Sequence, residues 1–149
     1  MQLRLWGERL TKKRDKIVID TGVLISAFAF GGVPEQAVKK AFTEADIYIS
    51  PTLLKEYREV PLILRSEEKI NHLQFKALIS GIAAFVTTAK IVYPVKKISV
   101  CRDSEDDMLL ECCLAARAKF LITGDKDLLD IKKLSFNLKI LTPREFIIL

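Results

Sequence analysis

Carboxylates at the ends of apolar runs are the residues of this 149-residue chain whose types and spacing point to chemistry. Ile17-Val18-Ile19 stops on Asp20, and Phe120-Leu121-Ile122 leads through Thr123-Gly124 to Asp125. Glu56 stands early in a segment that opens Ser50-Pro51-Thr52-Leu53-Leu54. Asp103, Glu105, Asp106 and Asp107 crowd the start of an apolar helical pattern. In open α/β sheets, ligands collect outside the carboxyl ends of the strands. Carboxylates drawn from several such ends make an oxygen-rich pocket, which hard cations such as Mg²⁺ or Mn²⁺ prefer. The chemistry expected here is that of an acidic divalent-metal site.

Each acid also has a plainer role to weigh. Asp20 suits an N-cap, yet a buried strand gains nothing by ending on a charge without a partner. Glu56 sits near Lys55 and Arg58, as a solvated helical glutamate would, but lies beside the stripe Leu53, Leu54 and Tyr57; Glu59 is the alternative. Acids in a first helical turn are favoured by the helix dipole, by about 0.3–1 kcal/mol each. The density at 103–107 goes beyond that, because the carboxylates repel one another unless a cation or solvent intervenes. With Ser104 as N-cap, Asp107 falls where it can bond back toward the cap. Asp106 has Leu109, Leu110 and Cys113 at i+3, i+4 and i+7, above the stripe facing the sheet. Asp106 rather than Asp107 is therefore the expected ligand, with Asp103 in an outer position. Asp125 also suits a turn after a strand, and Asp127 reads as the N-cap of Leu128–Ile131.

The elements that must position these groups alternate between β and α. Ile17–Ile19, Ile47–Ile49, Val86–Tyr93, 120–123 and 138–141 read as strands, from β-branched and apolar runs. Helices are expected over Val23–Phe30, from Pro34 as N1 to about Glu44, from Ser50 as N-cap with Pro51 at N1, over about 67–84, over 104–118 and near 127–133, with a terminal turn at Pro143. Residues 61–66, with Pro61 and Ser66, are the expected hinge. The fold class is α/β, with a mostly parallel sheet of about five strands and helices on both faces.

Half the residues are hydrophobic, enough for a full core and against wholesale disorder. No apolar run reaches the ~20 residues of a membrane helix, and no signal-peptide pattern opens the chain, so a cytoplasmic protein without a membrane partner is expected. Three cysteines, two of them adjacent, form neither a disulfide framework nor a ligand spacing. His72 is the only histidine, which excludes a multi-histidine zinc site. Residues 1–16 hold six basic and two acidic residues, or +4 of the chain's formal +5. A basic tail over 1–15, followed by one domain over 16–149, suits either a phosphate backbone or plain solvent.

Five stretches in this order resemble the PIN-domain nucleases, in particular their toxin-like, VapC-type branch. They are Val18–Ser26, Ser50–Glu56, Arg102–Glu111, Leu121–Leu129 and Ile140–Phe146. Gly22 stands where that family usually has Asn or Ser, and Arg117 where a Gly commonly sits. The resemblance implies a three-layer α/β/α PIN-like domain and an endoribonuclease acting on single-stranded RNA. Asp20, Glu56, Asp106 and Asp125 would hold one or two Mg²⁺ or Mn²⁺ ions, supported by Thr21, Asp103, Asp107 and Thr123. The metal would acidify a water to make the nucleophile and offset charge on the scissile phosphate. Thr21 would orient Asp20 or position a water. A toxin–antitoxin pair, an antitoxin whose basic residue reaches the acidic pocket, and a homodimer are implied by the same resemblance.

Other classes leave different marks. An aspartyl-phosphate enzyme of the haloacid-dehalogenase kind needs a second Asp two residues after Asp20, where Gly22 stands. A nucleotide-binding Rossmann domain needs a Gly-rich loop after the first strand, and Thr21-Gly22-Val23-Leu24 is none. A catalytically inactive RNA-binding or scaffold protein with this fold is the remaining alternative, set against the presence of all four carboxylates.

Overall fold

The computed structural model describes residues 13–149, so most of the basic tail expected over 1–15 lies outside the described residues. Strand β1 (Asp15–Ile19) starts two residues earlier than the apolar run alone indicates. It is followed by α1 (Thr21–Ile25), a π-helical turn (Ser26–Phe30), α2 (Gly32–Glu44), β2 (Ala45–Ile49), α3 (Pro51–Ser66) and α4 (His72–Thr88). Then come β3 (Lys90–Ile91), α5 (Ser104–Ala116), β4 (Phe120–Ile122), α6 (Lys126–Leu129), β5 (Lys139–Leu141) and α7 (Pro143–Ile147).

The five strands form one sheet in the order β3-β2-β1-β4-β5, and every neighbouring pair is parallel. Ile17, Val18 and Ile19 are all buried, as are Phe120, Leu121 and Ile122, so both faces of the central strands are covered. Helix α5 packs against β1 and β2, whereas α2 packs against β2, α7 and the π-helical turn, which α4 also meets. The result is the expected helix–sheet–helix layering. Among the described residues no helix is long and apolar enough to cross a membrane.

This strand order has one functional consequence. From β1 the chain builds outward through β2 to β3, then returns to add β4 and β5 on the other side of β1. The reversal leaves a crevice at the carboxyl ends of β1 and β4, the position where open sheets bind ligands. In register Ile19 pairs with Ile122. The next residues on each strand, Asp20 and Thr123, therefore emerge side by side.

Several expected boundaries move. Helix α3 runs through Pro61 to Ser66, so 61–66 is no hinge. Leu53, Tyr57 and Pro61 are buried on one stripe, and that packing outweighs the backbone bond the proline forfeits. The chain turns instead at 67–71, where Glu68 takes a positive φ of 59° and Asn71 caps α4 in a box with Gln74. Val86–Thr88 extend α4, and the strand shortens to Lys90–Ile91, after which the Val92 N–H still bonds the Ile49 carbonyl at 2.9 Å. The β-branched residues there follow a helical stripe of Leu78, Ile82 and Phe85, all buried. Helix α2 starts at Gly32, which puts Pro34 two residues inside it; Gly31 and Gly32, at φ 83° and 72°, make that entry. Helix α6 is a single turn, shorter than 127–133. Arg117 ends α5 in the left-handed region at φ 54°, with the Ala118 N–H closing onto the Cys113 carbonyl at 2.9 Å. A glycine adopts that conformation without steric cost.

Candidate metal centre

Asp20 leaves β1 with its backbone N–H bonded to the Ile122 carbonyl at 2.9 Å, which fixes the residue at the β1–β4 junction. The buried Thr123 hydroxyl donates to Asp20 Oδ2 at 2.7 Å and accepts the Asp125 N–H at 3.0 Å. One side chain thus sets the positions of two carboxylates. Asp125 then caps α6: its Oδ1 accepts the Asp127 N–H at 2.9 Å. The N-cap is therefore Asp125 and not Asp127, because the carboxylate two residues earlier already satisfies that free donor. Asp127 is released from capping, and its carboxylate joins those of Asp106 and Asp125. One oxygen from each lies within 4.8 Å of the others.

Glu56 approaches from α3. Ser50 caps that helix, accepting the Leu53 N–H at 3.1 Å, with Pro51 at N1, as the sequence indicates. Tyr57, fully buried, donates its hydroxyl to the Ile19 carbonyl at 2.5 Å and ties α3 to the last residue of β1. Its neighbour Glu56 is thereby brought to the crevice, where Glu56 Oε1 accepts the Thr21 hydroxyl at 2.6 Å. Thr21 thus orients Glu56, and it is Thr123 that orients Asp20.

The acidic run separates into distinct roles. Asp103, not Ser104, caps α5, accepting the Glu105 N–H at 3.0 Å, so the helix starts one residue earlier than expected. Asp107 does not bond back toward Ser104. Its Oδ1 accepts the N–H groups of Val100 and Cys101 at 3.0 and 2.9 Å, pinning the loop that precedes the helix. Desolvation alone would raise the Asp107 pKa, but the two backbone donors prevail and hold it below the usual range. Asp106 has no such donors and points with Asp125 and Asp127. Desolvation first, then the charges of Asp125, Asp103, Asp20 and Asp127, push it up to about 6.

Asp20 is also raised by desolvation, against the lowering bond from Thr123, and Glu56 by desolvation and by the charges of Glu105, Asp20 and Asp103. Asp20, Glu56 and Asp106 thus lie where burial and neighbouring carboxylates disfavour the ionised form, while the more exposed Asp127 meets the Arg102 guanidinium at 3.8 Å. All these donors are hard oxygens. Such a set fits Mg²⁺ or Mn²⁺ and does not fit a soft, thiolate-preferring ion. Asp106, Asp125 and Asp127 are the residues brought closest to a shared cation position, with Asp20 joined through Thr123.

Asp127 is the residue that sequence reasoning assigned elsewhere. The spacing Asp125-Lys126-Asp127 carried a signal for it: an Asp two residues before a helical donor caps that donor itself. The cysteines are free, with Cys112 and Cys113 buried inside α5, as expected of small apolar residues.

The PIN-domain family profile matches residues 16–127, which include every carboxylate of the crevice. The chain belongs to the PIN-domain family, a family of nucleases. It is also 33% identical, over 149 residues covering 94% of each chain, to the uncharacterized protein MJ1680 of Methanocaldococcus jannaschii. Among solved structures it is similar to VapBC2 from Rickettsia felis bound to a DNA fragment from their promoter. That likeness has a TM-score of 0.56 at 13% identity and covers 84% of this chain and 98% of that one; it is a likeness of fold.

Proposed function

We propose that the protein is a metal-dependent endoribonuclease that hydrolyses phosphodiester bonds of single-stranded RNA, the toxin of a toxin–antitoxin pair. The observation that carries the reading is the convergence of Asp106, Asp125 and Asp127 at the β1–β4 crevice beside Asp20, with Glu56 held at its edge by Thr21. A divalent ion there supplies Lewis acidity, neutralising phosphate charge and acidifying water. Asp106 and Asp125, with Asp127, would hold the ion. Thr123 holds Asp20 beside that group, and Thr21 holds Glu56 on the Asp20 side of it. The expected nucleophile is a water acidified by the ion, so no covalent protein intermediate is expected.

RNA as substrate and an antitoxin as partner come from the sequence resemblance. The fold shared with VapBC2, whose structure holds a DNA fragment from their promoter, is in keeping with the antitoxin partner. An antitoxin arginine would compete with metal for the acidic crevice by charge and bidentate geometry, and a homodimer is the assembly we expect. The deciding test compares wild type with Asp20→Asn on an unstructured RNA with Mg²⁺ or Mn²⁺. The variant keeps shape and volume but removes an anionic group, so it should keep the fold and lose most turnover. Full turnover by Asp20→Asn would remove the basis of the reading.

A further inference from the structure

Two glycines beside the acids have no backbone or packing reason to be glycine. Gly22 lies in the first turn of α1 and Gly124 in the loop between β4 and α6. Neither has a positive φ, and a Cβ placed on either would meet nothing within 4 Å. In α1, moreover, Gly is less favourable than Ala by roughly 0.5–1 kcal/mol. Both line one open cavity of about 420 Å³, together with Asp20, Asp125, Val23, Ser26, Pro34 and Pro143.

The walls of this cavity restrict what it can take. Two carboxylates mark one side and none of the lining residues is basic, so a phosphate would be repelled from it. Val23 and the two proline rings offer rigid, apolar walls, and Ser26, the first residue of the π-helical turn, adds a hydroxyl to the lining. The volume falls within the range of about 300–1,000 Å³ typical of small-ligand clefts. An uncharged, partly apolar group with hydroxyls of its own suits it: a nucleoside, attached to a phosphate that sits outside at the acids.

We infer that the cavity is the subsite for the nucleoside next to the scissile phosphate, and that Gly22 and Gly124 keep it open. The inference rests on the ribonuclease reading above and adds the position of one nucleotide to it. A Cβ at either glycine meets no neighbouring atom within 4 Å, so a longer side chain there has room to extend into the subsite.

The test is a series at Gly22 (Ala, Val, Leu) together with Gly124→Leu, in the full-length protein. Three readouts are taken: kcat/KM on a single-stranded RNA oligonucleotide, anisotropy of a labelled non-cleavable 2′-deoxy oligonucleotide, and the rise in Tm on adding Mn²⁺. Loss should grow with side-chain volume, reaching about tenfold or more in kcat/KM for Leu because the bound strand is displaced. Oligonucleotide binding should weaken in parallel, while the Mn²⁺-induced rise in Tm stays that of wild type. Binding and cleavage by both Leu variants equal to wild type would overturn the subsite and leave the ribonuclease reading standing. A wild type that responds to Mn²⁺ but neither binds nor cuts the oligonucleotides would overturn both.

Discussion

The Thr123 hydroxyl lies 2.7 Å from Asp20 Oδ2 and is the donor that holds this carboxylate at the junction of β1 and β4. The same oxygen accepts the Asp125 N–H, so a single buried hydroxyl couples the two strand ends that carry the acids. Groups behind a ligand set its aim, and their loss commonly weakens metal binding by about 10–100-fold. Thr123→Val keeps the β-branched shape and removes both bonds. It should weaken Mn²⁺ binding by about tenfold and cost about 1–3 kcal/mol of stability through the stranded buried groups. Thr123→Ser should restore both. Calorimetric titration and chemical denaturation measure the two effects; wild-type metal affinity in Thr123→Val would show that Asp20 needs no such support.

The crevice predicts an inverted pH response in the metal-free protein. Asp106 is raised from 3.8 to about 6, and Asp20 and Glu56 are raised in the same direction. A carboxyl that binds its proton more tightly when folded stabilises the fold below its unfolded pKa, and loses that contribution as pH rises through its folded pKa. Asp107 has the opposite sign, lowered and stabilising above its unfolded pKa. Between about pH 4 and pH 7, wild type in a chelator should therefore lose stability relative to Asp106→Asn. Mn²⁺ competes with the same protons, so its stabilising effect should grow over that interval. Melting curves across pH, with and without Mn²⁺, check both. Parallel profiles for wild type and Asp106→Asn would rule out Asp106 as the titrating group.

Asp106 and Asp107, adjacent in the chain, should separate cleanly. Asp106→Asn should lose metal affinity and turnover with little loss of stability. Asp107→Ala leaves the Val100 and Cys101 N–H groups without their acceptor and should cost about 1–3 kcal/mol, with metal affinity retained. Reversal of this ranking would mean that α5 presents the wrong face to the crevice.

The position of Asp106 beside the other acids was legible in the sequence because its helical stripe was, even though the cap lies one residue earlier than expected. Moving the N-cap from Ser104 to Asp103 renames every position in the first turn but does not rotate Asp106 away from Leu109, Leu110 and Cys113. Asp20 and Asp125 were legible for a similar reason: each follows a run that must be buried on both faces. What the chain did not reveal is cross-element pairing. Thr21 bonds a carboxylate 35 residues away and Thr123 one 103 residues away, and no local pattern specifies such partners. Asp127 was missed through a contest between two nearby carboxylates for one helical donor, which only the local backbone decides. The strand expected over Val86–Tyr93 forms but shrinks to Lys90–Ile91, because the residues before it continue a helix packed by Phe85, tertiary packing overriding propensity.

Arg117 offers a stability test apart from the chemistry. It occupies the left-handed region at φ 54°, where an L-residue costs roughly 1–2 kcal/mol. Arg117→Gly should raise stability by about 1 kcal/mol, less whatever glycine adds to the entropy of the unfolded chain, and leave turnover unchanged. A destabilised variant would show that the exposed arginine side chain makes a contact that outweighs its backbone strain.

The most direct measurement is cleavage of an end-labelled, unstructured RNA by exhaustively metal-stripped protein titrated with Mn²⁺. The acidic crevice predicts no cleavage in chelator, activity that rises and saturates with Mn²⁺, and loss of that activity in Asp20→Asn at every Mn²⁺ concentration. Cleavage at full rate in chelator, unaffected by Asp20→Asn, would contradict it.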